Sequence, residues 1–335
     1  MPVRILTQEQ VGELLPMTSC IELMEDALRT LARGGALLPL RTMVQLPEGR
    51  GVFASMPSYL NPPDAIGLKA ITVFPGNEGT RYDSHQGVVL LFEAGHGSLE
   101  AILDASSITA IRTAAVSGVA TRVLARPDAG DLAILGSGVQ ADTHLEAMAA
   151  VRPLRRIRIW SRNADNARRF AARAAKLVSL PVEVMPTAEA ACRGADLICT
   201  VTGARTPVVE RAWVREGAHL NAVGASLRAA RELDSDTVAA CRVFADRRES
   251  LLAESGDFLI PMGEGRFGED HVRGEVGEVL IGAVPGRTGP HELTLFKSLG
   301  LAIEDLASAH FVSRRAAELG IGTVIEIGGL RHEGD

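Results

Sequence analysis

The chain has 335 residues, of which 46% are hydrophobic, 23% charged and 4% aromatic, and its formal net charge is −6. That length has room for about two domains, and the composition is ordinary for a globular protein with a sizeable core. The acidic balance, the lack of a basic block and the few aromatic residues argue against nucleic-acid binding.

Targeting signals and cysteines indicate the compartment. No run of about 18 uncharged apolar residues would cross a membrane, and the N-terminal MPVRILTQEQ lacks the apolar core of a signal peptide. We therefore expect a cytoplasmic protein with no membrane partner. The four cysteines form no C-x-x-C pair, so we interpret them as buried thiols and expect no metal site. They are Cys20, Cys192, Cys199 and Cys241.

The first third of the chain predicts an α+β layer. Thr7-x-x-Gln10 and Ser19-x-x-Glu22 are capping boxes that would open two helices. Short runs split by Gly, Pro and Asn then predict five strands. These runs are 41–46, 51–56, 66–74, 87–92 and 98–103. Asp104 or Ser106 would cap a long helix over 107–125, which ends at the boundary Arg126-Pro127.

The segment 131–141, DLAILGSGVQA, carries a nucleotide-binding pattern. An apolar run is followed by Gly136, Gly138 and Ala141 as G-x-G-x-x-A and then by helical periodicity. Gly136 would permit a tight turn, and Gly138 would let a pyrophosphate approach the backbone at the helix N-terminus. The alternative is a plain glycine turn. The residues expected to surround the phosphates are Gly136, Ser137, Gly138, Val139 and Gln140.

From Leu132 onward, predicted strands alternate with helices. The six strands are 132–135, 156–160, 182–185, 196–200, 220–223 and 242–245. The clearest helix covers 163–178 and a last one covers 303–319, before a terminal strand at 323–327 that should return to the first layer. The expected fold class is α/β. A doubly wound parallel Rossmann sheet over 126–302 would stand beside a smaller, discontinuous α+β domain over 1–125 and 303–335.

The end of the second strand of this sheet indicates which dinucleotide binds. In such folds it lies near the adenosine ribose, where an NAD site usually has Asp or Glu. Here the chain has Ser161, Arg162 and Asn163. A carboxylate would repel the additional phosphate of NADP, whereas Arg162 could pair with it. We therefore expect NADPH or NADP in preference to NADH, unless Arg162 is simply a solvated loop cation.

Three cations of the first domain have apolar or small neighbours in sequence. Arg41 begins RTMVQL, Lys69 lies within IGLKAI, and Arg112 lies within ITAIRTAAVSGVA. An unpaired cation is costly there, so either each has a carboxylate partner or they converge on an anionic ligand. The three together favour a carboxylate-binding pocket, in which Arg would bind bidentately and Lys would act as a point charge or proton donor.

With these features the chain resembles the ornithine cyclodeaminase/mu-crystallin family. The matching segments are IGLKAITVFPGN (66–77), HQGVVLLFE (85–93), ILDASSITAIRTAAVSGVA (102–120), LGSGVQA (135–141), NAVGAS (221–226), ESGD (254–257) and TLFKSLGLAIED (294–305). The resemblance implies a homodimer whose N-terminal domain serves dimerisation and substrate binding. It also implies that Arg41, Lys69 and Arg112 occupy the substrate-binding positions of the family.

Two positions depart from the cyclising members. As we align the chain, it has Met56 where those members carry Glu, and Ser226 where they carry Asp. Such carboxylates suit a substrate whose amino groups must be bound and deprotonated. Their absence makes the chain similar to the mu-crystallin and ketimine-reductase branch, which uses NADPH. The alternative is alignment slippage in a divergent cyclodeaminase.

The hypothesis that follows is an NADPH-dependent reductase of small cyclic α-imino acids. Substrates would be Δ1-pyrroline-2-carboxylate or Δ1-piperideine-2-carboxylate, and products proline or pipecolate. Arg41 and Arg112 would hold the carboxylate, while Lys69 or Ser226 would supply or position the imine proton. Met56 and His85 are further candidates to touch the substrate. The nicotinamide would bind between the first and fourth strands of the parallel sheet, near Thr200, Thr202, Val223 and Gly224.

Three alternatives stay open. The chain could be another enzyme of the family: an ornithine cyclodeaminase, an alanine dehydrogenase or a 3-hydroxyproline dehydratase. It could be a non-catalytic, NADPH-dependent protein that binds a small molecule. It could also be a structural dimer with a vestigial Rossmann site, although the intact Gly136 and Gly138 argue against that.

Overall fold

The computed structural model describes residues 1–77 and 79–329 and divides into two compact units. The first unit is Met1–Arg112 together with the chain from Leu301, and the second is Thr113–Gly300. The first unit is therefore discontinuous in sequence. Its first border lies before the predicted border at 125, inside a long helix. Residues 330–335 of the predicted last segment lie outside the described residues.

The first unit begins with two helices and a run of strands. Its elements are β1 (Pro2–Leu6), α1 (Gln8–Leu14), α2 (Met17–Ala32), β2 (Ala36–Leu37), β3 (Thr42–Gln45), β4 (Val52–Leu60), β5 (Ala65–Val73), β6 (His85–Phe92), β7 (Leu99–Asp104) and α3 (Ala105–Leu124), which continues into the second unit. The capping box of Thr7 with Gln10 is confirmed. The predicted start at Ser19 is wrong, because Pro16 at the N-cap, with φ −61°, already opens α2 at Met17.

The second unit alternates strands with helices. Its further elements are β8 (Asp131–Leu135), α4 (Val139–Val151), β9 (Arg156–Trp160), α5 (Ala164–Ala174), β10 (Val182–Val184), α6 (Ala188–Cys192), β11 (Leu197–Thr200), β12 (His219–Ala222), α7 (Ser235–Ala240), β13 (Cys241–Ala245), α8 (Arg248–Glu254), α9 (Gly256–Gly263), β14 (Val272–Glu275), α10 (Val276–Leu280) and β15 (Leu293–Lys297). The chain then returns to the first unit with α11 (Ala302–Leu319) and β16 (Thr323–Glu326).

The sheet of the second unit has the order β10-β9-β8-β11-β12-β15-β13-β14. Every neighbouring pair is parallel. The predicted doubly wound parallel sheet is confirmed, and β8 and β11, its first and fourth strands, are neighbours as expected. The predicted count of six strands is wrong. The short, partly charged β14 and the buried β15 were missed, and β15 inserts between β12 and β13.

The sheet of the first unit has the order β16-β1-β7-β6-β5-β4-β2, and β3 also pairs with β4. The return of the terminal strand is confirmed, since β16 pairs antiparallel with β1. Strands β4, β5 and β6 place Met56, Lys69 and Val89 side by side on one face. The same face carries Gly67, where a Cβ atom would lie 2.7 Å from Leu306 of α11. Lys69 therefore points toward α11.

Two general predictions can be compared with the structure. All four cysteines are free and buried, and burial raises the pKa of each thiol to about 12, as expected for inert core thiols. Among the described residues, no helix is long and apolar enough to cross a membrane.

Candidate functional site

The glycine turn after β8 has the geometry that a dinucleotide requires. Gly136 has φ +117°, and a Cβ atom there would lie 2.5 Å from the carbonyl oxygen of Val201, so this position needs glycine. Gly138 is the N-cap of α4, and a Cβ atom there would meet nothing within 4 Å. That open space above the N-terminus of α4 suits a pyrophosphate, which the unbonded N–H groups and helix dipole would bind. The residues present therefore fit a dinucleotide.

The side chains of this turn differ in their surroundings. The Ser137 hydroxyl donates to Ser161 Oγ at 2.9 Å, which joins the turn to the end of β9. Val139 is 61% exposed. The side-chain oxygen of Gln140 is buried and has no hydrogen-bond partner in the described part of the chain. A buried acceptor in that state needs a donor from outside the described residues.

The end of β9 presents one exposed cation. Arg162 is exposed, whereas Asn163 is the N-cap of α5. The Asn163 side-chain oxygen accepts from the backbone N–H groups of Asp165 and Asn166, at 2.9 and 3.3 Å. The oxygen of Asn163 therefore serves the fold. Of the three residues predicted here, Ser161 and Arg162 keep side-chain atoms that can face a ribose or its phosphate.

The loops after β11 and β12 lie side by side at the predicted nicotinamide position. The backbone N–H groups of Val223 and Gly224 both donate to the carbonyl oxygen of Thr200, at 3.0 and 3.2 Å. Thr200 itself is fully buried, so its side chain does not reach the cofactor as predicted. Its carbonyl oxygen instead supports the loop of Val223 and Gly224. Thr202, Gly224 and Ser226 keep some exposure and can face a ligand.

Three buried charged residues behind these loops were not among the predicted site residues. Glu232, Asp257 and Lys297 are each 1% exposed or less. Asp257 and Lys297 lie in the segments ESGD and TLFKSLGLAIED, which carried the family resemblance without a role being assigned. The order of the strands brings these three residues close to β11 and β12, and that order cannot be read from local sequence patterns.

A cation–carboxylate cluster lies between the first sheet and α11. Lys69 is 3% exposed, and its ammonium donates to Asp305 Oδ1 at 3.1 Å. Arg112 Nε donates to the same oxygen at 3.0 Å, and its Nη1 donates to Glu304 Oε2 at 2.6 Å. The alternative left open by the sequence, a carboxylate partner within the fold, therefore holds for both cations. The second oxygen of Asp305 is buried and has no hydrogen-bond partner among the described residues.

The environment of Lys69 tunes its ionisation. Burial lowers the pKa of the Lys69 ammonium to about 8, while the charge and hydrogen bond of Asp305 act in the opposite direction. Arg112 and Arg41 also lower this pKa. A lysine ammonium has three donors, and within the described residues Lys69 makes one hydrogen bond, to Asp305. Lys69 can therefore both bind an acceptor and release a proton near neutral pH.

The other substrate residues predicted in this unit lie around Lys69. Met56 is its direct neighbour on β4 and is 6% exposed. Arg41 precedes β3, is partly exposed and acts on Lys69 through its charge. His85 begins β6 and keeps solvent exposure, yet partial desolvation and the charge of Lys69 lower its pKa. Ser226 belongs to the second unit.

Known proteins resemble the whole chain. The model of the ornithine cyclodeaminase/mu-crystallin family matches residues 2–320. Ketimine reductase mu-crystallin of Mus musculus is 40% identical over 311 residues, which are 92% of this chain and 95% of that protein. The structure of Thermococcus litoralis Δ1-pyrroline-2-carboxylate reductase, in complex with NADH and L-proline, has a TM-score of 0.94 at 39% identity and covers 96% and 99% of the two chains.

An archaeal alanine dehydrogenase dimer with bound NAD is also similar, with a TM-score of 0.93 at 31% identity, and covers 98% of this chain and 100% of that one. The matches extend through both units, from the first strand to the last helix. This chain therefore belongs to the ornithine cyclodeaminase/mu-crystallin family.

Proposed function

We propose that this chain is an NADPH-dependent reductase of small cyclic α-imino acids, forming proline from Δ1-pyrroline-2-carboxylate or pipecolate from its six-membered homologue. The observation that carries the proposal is the buried Lys69 ammonium, whose pKa is about 8 and which, among the described residues, donates only to the oxygen of Asp305 that it shares with Arg112. A reductase of this kind needs a site for one carboxylate and a source of one proton. The similarity to a ketimine reductase and to a Δ1-pyrroline-2-carboxylate reductase supports the same reaction.

The proposed chemistry divides between two groups of residues. Arg41 and Arg112 bind the substrate carboxylate, for which a guanidinium offers paired donors. Lys69 donates its proton to the imine nitrogen, which makes the adjacent carbon electrophilic. A bound nicotinamide supplies the hydride that this carbon accepts. The product is the cyclic amine, and Lys69 regains its proton from solvent.

The preference for NADPH is the finer part of the proposal. Its support is the exposed Arg162 at the end of β9, where the chain places no Asp or Glu at 161–163. The hydroxyl of Ser161, the residue before Arg162, is hydrogen-bonded to Ser137 in the glycine turn. The reductase of Thermococcus litoralis was solved with NADH, so a direct comparison of the two cofactors is required.

The two positions that depart from the cyclising members, Met56 and Ser226, argue against ornithine cyclisation. That reaction needs a base near the amino groups of its substrate. Met56, the direct neighbour of Lys69 on the sheet, cannot accept a proton, and Ser226 is a poor base without an activator. Reduction of a preformed cyclic imine needs neither function.

We also propose a cytoplasmic homodimer. The face of the first sheet opposite α11 carries large apolar side chains that are exposed in the single chain. Val44 and Phe53 are paired on this face and are 54% and 42% exposed, and Ile66, opposite Tyr59 further along the same face, is 37% exposed. Exposed apolar side chains of this kind on one sheet face are typical of a subunit interface. Light scattering of the purified protein should give twice the mass of the chain.

The test of the reaction is a substrate panel with the purified protein. Both cyclic imino acids should oxidise NADPH faster than NADH, and the products should be proline and pipecolate. L-ornithine and L-alanine with either oxidised cofactor should release little or no ammonia. Conversion of ornithine to proline without imine reduction would contradict the proposal, and so would binding of an imino acid without turnover.

A further inference from the structure

The carboxylate of Glu232 joins the two loops at the carboxyl ends of β11 and β12. Glu232 is fully buried, and each of its oxygens accepts two hydrogen bonds. Oε1 accepts from the backbone N–H and the hydroxyl of Thr202, both at 2.7 Å. Oε2 accepts from the backbone N–H of Gly224 at 2.7 Å and the hydroxyl of Thr200 at 2.8 Å. One side chain thus fixes two loops relative to each other.

A second layer of charges holds Glu232 itself. Asp257 Oδ1 accepts from the backbone N–H groups of Glu232 and Leu233, at 2.8 and 3.0 Å. Lys297, at the end of β15, lies 3.1 Å from Asp257 Oδ2 and donates to the carbonyl oxygen of Ala222 at 3.2 Å. Burial and the neighbouring Asp257 raise the pKa of Glu232, while Lys297 and the Thr202 donors oppose that rise.

We propose that Glu232 is a positioning residue that shapes the loops of Thr202 and Gly224 to receive the nicotinamide ring of the cofactor. This inference rests on the proposed function, since it assumes a nicotinamide dinucleotide at the glycine turn. Two buried carboxylates with one ammonium are an expensive arrangement for a core. Here the carboxylate lies where four donors from two loops converge. Those loops follow β11 and β12, next to the gap between β8 and β11 where the nicotinamide is expected.

The chemistry of the four donors requires a carboxylate. Two of them are backbone N–H groups, one on each oxygen, and neither can reverse its polarity. The amide of Gln at position 232 would point its own N–H groups at one of them, so one backbone donor would lose its acceptor. Glu232→Gln should therefore move one loop away from the other while leaving the glycine turn intact.

The experiment compares a complete cofactor with a fragment that lacks nicotinamide. Dissociation constants for NADPH and for 2′-phospho-ADP-ribose are measured by calorimetry on the unmutated protein and on Glu232→Gln. NADH and ADP-ribose form a parallel pair. We expect NADPH to bind about tenfold more weakly to the variant and the fragment to bind equally to both proteins. Equal losses for cofactor and fragment, or no loss for either, would overturn the proposal.

Asp196→Asn is the matched control. Asp196 is also a buried carboxylate of the second unit that accepts two backbone N–H groups, those of Gly130 and Asp131. It precedes β11 and is thus at the opposite end of that strand from Thr200. Its substitution should lower the melting temperature without a selective loss of NADPH, and a selective loss there would overturn the assignment to Glu232.

A second variant covers the case in which Glu232→Gln does not fold. Thr200→Val removes one hydroxyl donor from Glu232 at nearly constant shape, and should cause a smaller loss that is again selective for NADPH over the fragment. An unchanged ratio would overturn the proposal. Failure of the proposed reaction can be distinguished from failure of this inference. NADPH binding without imine reduction would refute the reductase, but the comparison of cofactor and fragment binding would still test the role of Glu232.

Discussion

Replacing Asp305 with Asn should change the pH at which imine reduction slows. If Lys69 is the proton donor, activity falls as pH rises through about 8, because the ammonium loses its proton there. Between about pH 7 and about pH 9 the protonated fraction of such a group falls from about nine-tenths to about one-tenth. The rate should therefore drop about tenfold over that range.

The size of the shift follows from one distance. The Lys69 ammonium and the Asp305 carboxylate are 3.1 Å apart, and both are almost fully buried. Two unit charges at that distance attract by about 1.3 kcal/mol even at the dielectric constant of water, which corresponds to about one pKa unit. Asn keeps the shape and one acceptor oxygen but removes the charge. The decline in Asp305→Asn should thus begin at least about one pH unit lower.

The assay is kcat/KM for Δ1-pyrroline-2-carboxylate as a function of pH, at saturating cofactor. Lys69→Arg should move the decline upward, because a guanidinium stays protonated. Glu304→Gln is the control, since this neighbouring carboxylate bonds to Arg112 Nη1 and should slow the reaction without moving the decline. Protonation of the free imine substrate also affects the pH profile, but it affects all variants equally and so cannot cause a difference between them. A decline at the same pH in the unmutated protein, Asp305→Asn and Lys69→Arg would refute Lys69 as the donor.

Three further substitutions test the other assignments. Arg112→Met should lower kcat/KM for the imino acid about tenfold to a hundredfold, since charge-assisted hydrogen bonds contribute about 1.5–3 kcal/mol, with nearly unchanged NADPH affinity. If Arg112→Met lost affinity for NADPH but kept its kcat/KM for the imino acid, Arg112 would belong to another site. Arg162→Ala should raise the KM for NADPH and erode the preference over NADH, and equal kcat/KM for both cofactors in the unmutated protein would remove this argument. Ser226→Asp should raise the KM for the imino acid, because an added anion opposes an anionic substrate, and an unchanged KM would contradict that placement.

Local sequence patterns predicted six of the eight strands in the sheet of the second unit and missed β14 and β15. The G-x-G-x-x-A spacing identified a turn in which Gly136 does have positive φ and Gly138 does open a helix. The strand β15 was missed although all five of its residues are buried. Its insertion between β12 and β13 depends on contacts across the whole sheet, and no local periodicity carries that order.

The site shows the same division between local and distant information. Lys69 and Arg112 could be recognised because a charge among apolar neighbours needs a partner. The identity of that partner could not be predicted, since Asp305 is 236 residues from Lys69 in sequence. The contact between Lys69 and Asp305 depends on which face of β5 carries Lys69 and on how α11 packs against that face. The odd-numbered positions of β5 face α11, so Lys69 meets Asp305, whereas Ile66 lies on the exposed face.

The shared carboxylate explains why a paired lysine can still be a proton donor. A buried ammonium with no counter-charge would lose its proton, and one with its own carboxylate would hold the proton firmly. Asp305 Oδ1 accepts from both Lys69 and Arg112, so the charge that stabilises the ammonium is divided between two cations. Burial then outweighs the compensation, and the pKa of Lys69 settles at about 8. The pairing that at first argues against a catalytic role is therefore what brings Lys69 into the range in which it can give up a proton.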